Sequence, residues 1–335
     1  MRKAHLALTA VVAMVAAAVA ASALIGGAVA VRSSSVEHGA DDASATDSFS
    51  GGATGDPRQG GIALPKVASI NLCTDQLVLH IADPSQIVSL SWLSTDPEES
   101  TLADAAARYP LNYGSAEELL RVDPDVVIAG LYTNAFTRRL LRELGYTVVD
   151  IEPASSLADI ENHIRQVAAA IGRAERGDSL IRGMQARIAQ HRQRVHLSPV
   201  PAVVVRPGGF TVEAPSLAHE LMTLAGLRNL PAERGLDRWG SLSVETLLHH
   251  PPDLLVFAAY RREDASLANA VLAHPALERL AAETVTAEVP AAMWSCGLPS
   301  SLDVVALLAD AADEARNRTP RLSRAPRAPG ERVLR

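Results

Sequence analysis

The sequence predicts an α/β protein of two Rossmann-like lobes with parallel sheets, joined by a single long rigid helix, with a cleft between the lobes. The first reason is a duplication. Residues 115–125 read S-A-E-E-L-L-R-V-D-P-D, residues 243–253 read S-V-E-T-L-L-H-H-P-P-D, and an apolar run follows each copy. The second is that apolar runs alternate with helical patterns, as in parallel sheets covered by helices. The third is a helical pattern over 174–194, about 30 Å long and able to cross between lobes.

The apolar runs and turn residues place the elements in order. Strands are predicted at 67–70, 87–90, 126–129, 147–151, 202–205 and 254–258. Helices are predicted around 75–81, 117–122, 137–144, 157–171, 174–194, 216–225 and 301–312, and the second copy of the repeat adds another. Gly145 is positioned as a C-cap, where a left-handed conformation ends a helix. Gly177 and Gly183 weaken the long helix by up to about 1 kcal/mol each relative to Ala, so packing must hold it.

These elements divide the chain into an N-terminal α/β lobe (65–171), an inter-lobe helix (172–196) and a C-terminal α/β lobe (197–315). The segment 31–64 is rich in Ser, Gly, Ala and Asp, which predicts a flexible linker, and the Arg- and Pro-rich segment 316–335 predicts a disordered tail. A length of 335 residues suffices for two ordinary cores. With 48% apolar and 21% charged residues the composition is that of a folded protein. The net charge of −7 argues against a nucleic-acid partner, which needs a basic face.

The N-terminal segment 1–30 is predicted to be a signal peptide or a membrane anchor. Two basic residues precede an uncharged run over 6–30, and Ala28-Val29-Ala30 fits a cleavage site. The run is also long enough to span a bilayer. Both alternatives export the chain, which places it in the periplasm, anchored to the inner membrane if the segment is not cleaved.

Three further motifs join the repeat in carrying a resemblance. They are V-A-S-I-N-L-C-T-D-Q-L at 67–77, A-D-P-S-Q-I-V-S-L at 82–90 and A-H-P-A-L-E-R-L at 273–280. In this order and spacing the chain, over about 65–312, resembles the periplasmic solute-binding proteins of ABC importers for cobalamin, siderophores and haem. The resemblance implies a non-enzymatic monomer that captures a corrinoid or an iron-siderophore-type complex between its lobes. Its partners would be an ABC permease and that permease's ATPase, with no cofactor other than the bound metal complex.

The resemblance also implies that Glu117 and Glu245, one per lobe, dock onto Arg residues of the permease. A purely structural reading competes with this one. Ser115 and Ser243 are N-cap residues, and a carboxylate in the first helical turn stabilises a helix by about 0.3–1 kcal/mol. However, Glu118 is replaced by Thr246 in the second copy whereas the first Glu recurs, and capping alone would not select that position.

Candidate ligand-binding residues follow from the rule that ligands of parallel α/β lobes lie outside the carboxyl ends of the strands. They are Asn71, Cys73, Trp92, Tyr113, Tyr132, Trp239, Tyr260, Arg261 and Trp294. Aromatic side chains would supply flat walls for a flat ligand, although each could equally pack in a core. Trp239 stands where the cobalamin-binding member of the family has a Trp in its cleft.

A metal site made by the protein is not expected, because the histidines lack ligand spacing and none falls on the predicted cleft loops. Haem ligation by Tyr132 or Tyr260 stays open. Cys73 and Cys296 both fall on loops predicted to face the cleft, and an exported chain can hold them as a disulfide or as two free thiols. Two other functions stay open: a membrane-tethered sensor without transport, and an enzyme that uses Cys73 as its nucleophile.

Overall fold

The computed structural model describes residues 63–194, 198–233, 242–258 and 267–318. Two wholly parallel sheets organise these residues, as the alternation of strands and helices predicts. The predicted linker and tail and the segment 1–30 lie almost entirely outside the described residues. Among the described helices, none is long and apolar enough to span a bilayer.

The N-terminal lobe is a five-stranded sheet in the order β3-β2-β1-β4-β5. Its strands are β1 (Val67–Ser69), β2 (Ile87–Ser91), β3 (Leu111–Asn112), β4 (Val126–Gly130) and β5 (Thr147–Ile151). Its helices are α1 (Leu72–Ile81), α2 (Ala103–Ala106), α3 (Ala116–Val122), α4 (Ala135–Glu143) and α5 (Leu157–Ala170). Short 3-10 turns occupy Pro84–Gln86 and Trp92–Thr95. Gly145 follows α4 with a φ of +90°, as predicted for a C-cap.

The long helix α6 (Ala174–Arg194) has the predicted bounds and contacts both lobes. Near its start, the Arg176 side chain donates a hydrogen bond of 2.8 Å to the carbonyl oxygen of His80 in the N-terminal lobe. Near its end, Arg187 pairs with Asp303 of the C-terminal lobe. Buried Ile181, Met184 and Ile188 face the core. The helix therefore bridges the lobes through packing and through polar contacts at both ends.

The C-terminal lobe has a four-stranded sheet in the order β7-β6-β8-β9. Its strands are β6 (Val200–Val205), β7 (Leu227–Asn229), β8 (Leu254–Phe257) and β9 (Val285–Glu288). Its helices are α7 (Leu217–Leu224), α8 (Leu230–Glu233), α9 (Val244–His249), α10 (Leu267–Ala270), α11 (Pro275–Glu283), α12 (Ala291–Trp294) and α13 (Leu302–Asn317). Pro207–Gly209 and Pro299–Ser301 form 3-10 turns. The order matches that of the first lobe with the strand equivalent to β3 absent from the described sheet.

The two copies of the repeat perform the same structural task. Ser115 caps α3 by accepting from the Glu118 N–H, and Ser243 caps α9 by accepting from the Thr246 N–H. Leu119 of α3 and Leu247 of α9 are buried against the outer face of their respective sheets. A third, larger apolar cluster extends through α6 and contains residues of both lobes. The duplication therefore reflects two equivalent helix–strand units packed about a shared centre.

Candidate ligand-binding cleft

A cavity of about 340 Å³ lies between the lobes. It is bordered by the residues that follow β1, β4, β5 and β6 and by helices α5, α7 and α12. Cavities of this size fall at the lower end of the range for small-molecule sites. Both topological switch points, between β1 and β4 and between β6 and β8, contribute to its walls. This is where an open α/β sheet binds ligands.

On the N-terminal side, Asn71 leaves β1 and caps α1. Its side-chain oxygen accepts hydrogen bonds from the N–H groups of Cys73 (3.0 Å) and Thr74 (3.4 Å). A Cβ atom at Gly130, the last residue of β4, would lie 2.8 Å from the Asn71 Cγ atom. Glycine at 130 therefore lets the two switch-point strands place Asn71 at the cleft wall. The side-chain oxygen of Asn71 is already occupied by the two N–H groups of α1.

Cys73 and Cys296 form a disulfide bond across the cleft. Their Cα atoms are 5.1 Å apart and the residues are 223 positions apart in the chain. Cys73 lines the cavity from α1 of the first lobe, whereas Cys296 is buried in the loop after α12 of the second. Of the two states left open by the sequence, the structure has the bonded one. A bonded Cys73 has no free thiol to act as a nucleophile.

Next to this bond the second lobe approaches the first very closely. A Cβ atom at Gly297 would lie 2.4 Å from the Ala154 Cβ atom, which belongs to the loop after β5. Nearby, Glu220 on α7 accepts a hydrogen bond of 2.7 Å from the N–H of Leu157 at the start of α5. Covalent, steric and polar contacts therefore connect the lobes along one side of the cleft.

Aromatic side chains enter the cleft from both lobes. Tyr132 follows β4, lines the cavity and is 85% exposed, and Trp294 lines it from the end of α12. Trp92 and Tyr113, which the sequence also assigns to the ligand face, do not line this cavity. They stack on each other with ring centroids 6.1 Å apart, and they are 45% and 76% exposed. They follow β2 and β3, the strands farther from the switch point, and their contact with a ligand stays a prediction.

Titratable side chains also line the cavity. Arg206 follows β6 and its guanidinium lies 5.9 Å above the centre of the Trp294 ring. Burial lowers the pKa of Arg206, and the nearby charge of Glu213 opposes that shift. His163 lines the cavity from helix α5, although no histidine was expected in the cleft. Burial lowers the pKa of His163 and the charges of Asp159 and Glu152 oppose the shift, so the imidazole is neutral at pH 7.

Of the remaining predicted residues, Trp239, Tyr260 and Arg261 fall outside the described residues. Glu117 and Glu245 are exposed in the first turns of α3 and α9, and neither lines the cleft. Each is followed three residues later by an exposed leucine, Leu120 or Leu248. The docking prediction thus concerns two equivalent exposed helix ends.

Glu118, the second acidic residue in the first turn of α3, is held by hydrogen bonds within its own helix end. Burial raises the pKa of Glu118, but hydrogen bonds from the N–H groups of Tyr113 and Ser115 and from the Ser115 hydroxyl outweigh it, so the pKa is lowered overall. Glu118 therefore serves the capping box of α3.

In the part of the chain that the structure describes, no cluster of three or more His, Cys, Asp or Glu side chains could hold a metal ion.

Residues 67–284 match the model of the periplasmic binding protein family. This chain belongs to that family. It is 19% identical over 232 residues to an uncharacterised ABC transporter substrate-binding lipoprotein, YvrC, of Bacillus subtilis, covering 62% of this chain and 70% of the relative.

Solved structures share the fold. The periplasmic haem-binding protein RhuT of Roseiflexus sp. RS-1 in its apo form superposes with a TM-score of 0.57 at 22% identity, over 74% of this chain and 98% of that one. The periplasmic vitamin B12-binding protein BtuF of Vibrio cholerae gives a TM-score of 0.57 at 18% identity, over 76% and 99% of the two chains. These structures are two-lobe binding proteins with a cleft between the lobes.

Proposed function

We propose that this protein is the extracytoplasmic substrate-binding protein of an ABC importer and that it captures a metal chelate, a corrinoid or an iron-siderophore-type complex, between its lobes. The observation that carries the proposal is the cavity at both switch points, with Tyr132 and Trp294 on opposite lobes. Two aromatic walls suit a ligand with flat apolar surfaces. Membership of the family and the similarity to an ABC transporter substrate-binding lipoprotein and to haem- and vitamin B12-binding proteins support a role in binding and transport.

The partners in this proposal are an ABC permease and its ATPase, and the binding protein acts as a monomer. Glu117 and Glu245 would meet the permease, because they are exposed on equivalent helices of the two lobes and lie outside the cleft. The lipoprotein relative and the periplasmic neighbours support a position outside the cytoplasm.

Ligand binding is tested by titrating the purified protein with cyanocobalamin, haemin, a ferric tris-catecholate and a ferric tris-hydroxamate while Trp fluorescence is measured. Trp294 lines the cavity, so a bound chelate should quench emission with saturation at micromolar concentration or below. N-acetyltryptophanamide, titrated in parallel, corrects for light absorbed by the chelates. If none of the four chelates gives saturable quenching, the proposed function is wrong.

Transport is tested in cells with the variant Glu117→Lys/Glu245→Lys. Uptake should be lost while chelate affinity is unchanged, because the two side chains lie outside the cleft. The matched control Glu143→Lys/Glu278→Lys reverses one exposed helical charge per lobe and should leave uptake intact. Lost affinity in the first variant would contradict the docking assignment, and uptake that does not require this protein would favour the sensor.

A further inference from the structure

Tyr132, the aromatic wall of the cleft on the N-terminal lobe, depends on its loop for its position. It lines the cavity and is 85% exposed, so packing against the rest of the fold covers little of it. It is the middle residue of the loop 131–133, between the end of β4 and the N-cap of α4 at Asn134. A side chain on a short exposed loop contributes most to affinity when the loop already holds it in the binding position, because ordering it on binding costs entropy.

The side chain of Arg138 binds this loop on both sides of Tyr132. Its Nη2 donates a hydrogen bond of 2.8 Å to the carbonyl oxygen of Leu131, and its Nε donates one of 3.2 Å to the carbonyl oxygen of Thr133. Arg138 lies within α4, so a regular helix supplies these donors. A guanidinium is a planar, rigid fork of N–H groups, and it therefore fixes the separation of the two carbonyl groups that flank Tyr132.

A third donor of the same guanidinium connects the loop to the sheet. Nη1 of Arg138 donates a hydrogen bond of 2.8 Å to the Asp150 carboxylate on β5, the strand next to β4. The Arg138 side chain is only 12% exposed, so water competes little with these bonds. Arg142, one turn later on α4, pairs with the same Asp150 oxygen at 2.7 Å, but among the described residues it makes no hydrogen bond to the loop. The two arginines thus share an acidic partner and differ in their contact with the loop.

We propose that Arg138 is a positioning residue for ligand binding, which holds the loop 131–133 so that Tyr132 is preorganised as a wall of the cleft. This inference rests on the proposed function and makes it more specific, because it names the side chain that sets the position of one aromatic wall. Arg138 does not itself line the cavity, so it acts on the bound chelate through Tyr132.

The test measures dissociation constants for cyanocobalamin, haemin, the ferric tris-catecholate and the ferric tris-hydroxamate by Trp fluorescence. Arg138→Met should raise the dissociation constant of at least one chelate that wild-type protein binds by about three- to tenfold, the scale of ordering a side chain on binding. Arg138→Lys keeps the charge but cannot bridge two carbonyl groups, so it should weaken binding by a similar factor. Arg142→Met is the matched control and should leave affinity within about twofold, because it removes only a partly exposed ion pair with Asp150.

A double-mutant cycle with Tyr132→Ala separates positioning from a general structural effect. Tyr132→Ala should weaken binding of the same chelate, and in that background Arg138→Met should cause no further loss. A general disturbance of the fold would instead weaken binding equally in both backgrounds. Hydrogen exchange of the free protein gives a readout that needs no chelate. The amides of Tyr132 and Thr133 should exchange faster in Arg138→Met than in wild type or Arg142→Met, because the loop opens more often.

Thermal unfolding verifies that each variant is folded, and Arg138→Lys takes the place of Arg138→Met throughout if the methionine variant does not fold. If the Arg138 variant binds every chelate as wild type does, loses as much affinity with Tyr132→Ala as without it, or leaves hydrogen exchange of the loop unchanged, the positioning role is wrong while the proposed function stands. If none of the four chelates binds to wild-type protein, the proposed function fails and the positioning role fails with it.

Discussion

Asp75 combines full burial with a position two residues after the disulfide. Its carboxylate accepts hydrogen bonds from the N–H of Ser91 (3.1 Å) and from the Ser91 hydroxyl. Burial raises the pKa of Asp75 from 3.8 to about 7, and the hydrogen bonds from Ser69 and Ser91 only partly oppose the shift. At neutral pH the core of the first lobe therefore holds a carboxyl group that is close to its midpoint.

This burial predicts how stability depends on pH. Folded Asp75 keeps its proton up to about pH 7, whereas in the unfolded chain it loses the proton near pH 4. The unfolding free energy should therefore fall between about pH 4 and pH 7, by a few kcal/mol at most. Asp75→Asn removes this dependence, so the variant should gain stability relative to wild type as pH rises through the window. Urea unfolding at pH 4, 5.5, 7 and 8.5 measures the difference.

Asp159→Asn is the control for that series. A hydrogen bond from the Ser155 hydroxyl lowers the pKa of Asp159. The contribution of Asp159 to the unfolding free energy is therefore present above pH 4 and disappears only at lower pH. Its effect on stability should thus be constant across the same window. If the difference in unfolding free energy between wild type and Asp75→Asn is also constant across these pH values, the pKa of Asp75 is not raised.

The candidate site shows what single residues reveal in a sequence and what they do not. The sequence assigns Tyr132, Trp294, Trp92 and Tyr113 alike to the ligand face, but only Tyr132 and Trp294 line the cavity. Strand order decides which strand ends meet at the switch point, and a single sequence does not contain that order. His163 was missed because it reaches the cavity from a helix face. The pairing of Cys73 with Cys296 depended on a distance between lobes that no local pattern encodes.

At the scale of elements, the inter-lobe helix α6 contains two glycines in different surroundings. A Cβ atom at Gly177 would lie 2.6 Å from the Ala168 Cβ atom of α5, whereas one at Gly183 would meet nothing within 4 Å. Gly177 therefore permits close approach of two helices, and Gly183 contributes only its low helix propensity. The two positions form a matched pair on one helix.

We expect opposite effects when each glycine is replaced by alanine. Gly183→Ala should raise the unfolding free energy by about 0.5–1 kcal/mol, the helix propensity difference. Gly177→Ala should lower it, because α5 and α6 must separate to admit the methyl group and overpacking typically costs about 1–3 kcal/mol. Thermal and urea unfolding measure both. Stabilisation by Gly177→Ala would show that the contact between α5 and α6 relaxes easily.

Elements with a clear apolar pattern were predictable, and short elements of mixed polarity were not. Helix α6 and strand β5 have the predicted bounds because each carries a sustained apolar pattern between clear end signals. Strands β3, β7 and β9 contain only two to four residues and include polar side chains. Such segments show no hydrophobic periodicity from which a strand could be predicted. Helix α11 does carry a start signal in the sequence, since His274 caps it and Pro275 occupies its first turn.

At the scale of the whole molecule, the lobes are connected in several independent ways. Helix α6 contacts both lobes, and the largest apolar cluster includes residues of each. The Cys73–Cys296 bond and the close approach at Gly297 add constraints beside the cavity itself. We expect such a frame to limit opening to small rotations, and a preformed cleft loses little conformational entropy when a ligand binds.

The disulfide should therefore affect both stability and ligand release. Cys73→Ser/Cys296→Ser frees a very long loop, which should lower the unfolding free energy by about 2–5 kcal/mol. Because the lost bond connects the two walls of the cavity, the dissociation rate of a bound chelate should also rise, measured by stopped-flow fluorescence. Adding a reductant should reproduce the faster release in wild type and change nothing in the double variant. Equal dissociation rates in oxidised wild type and the double variant would mean that α6 and the packing at Gly297 hold the lobes without covalent help.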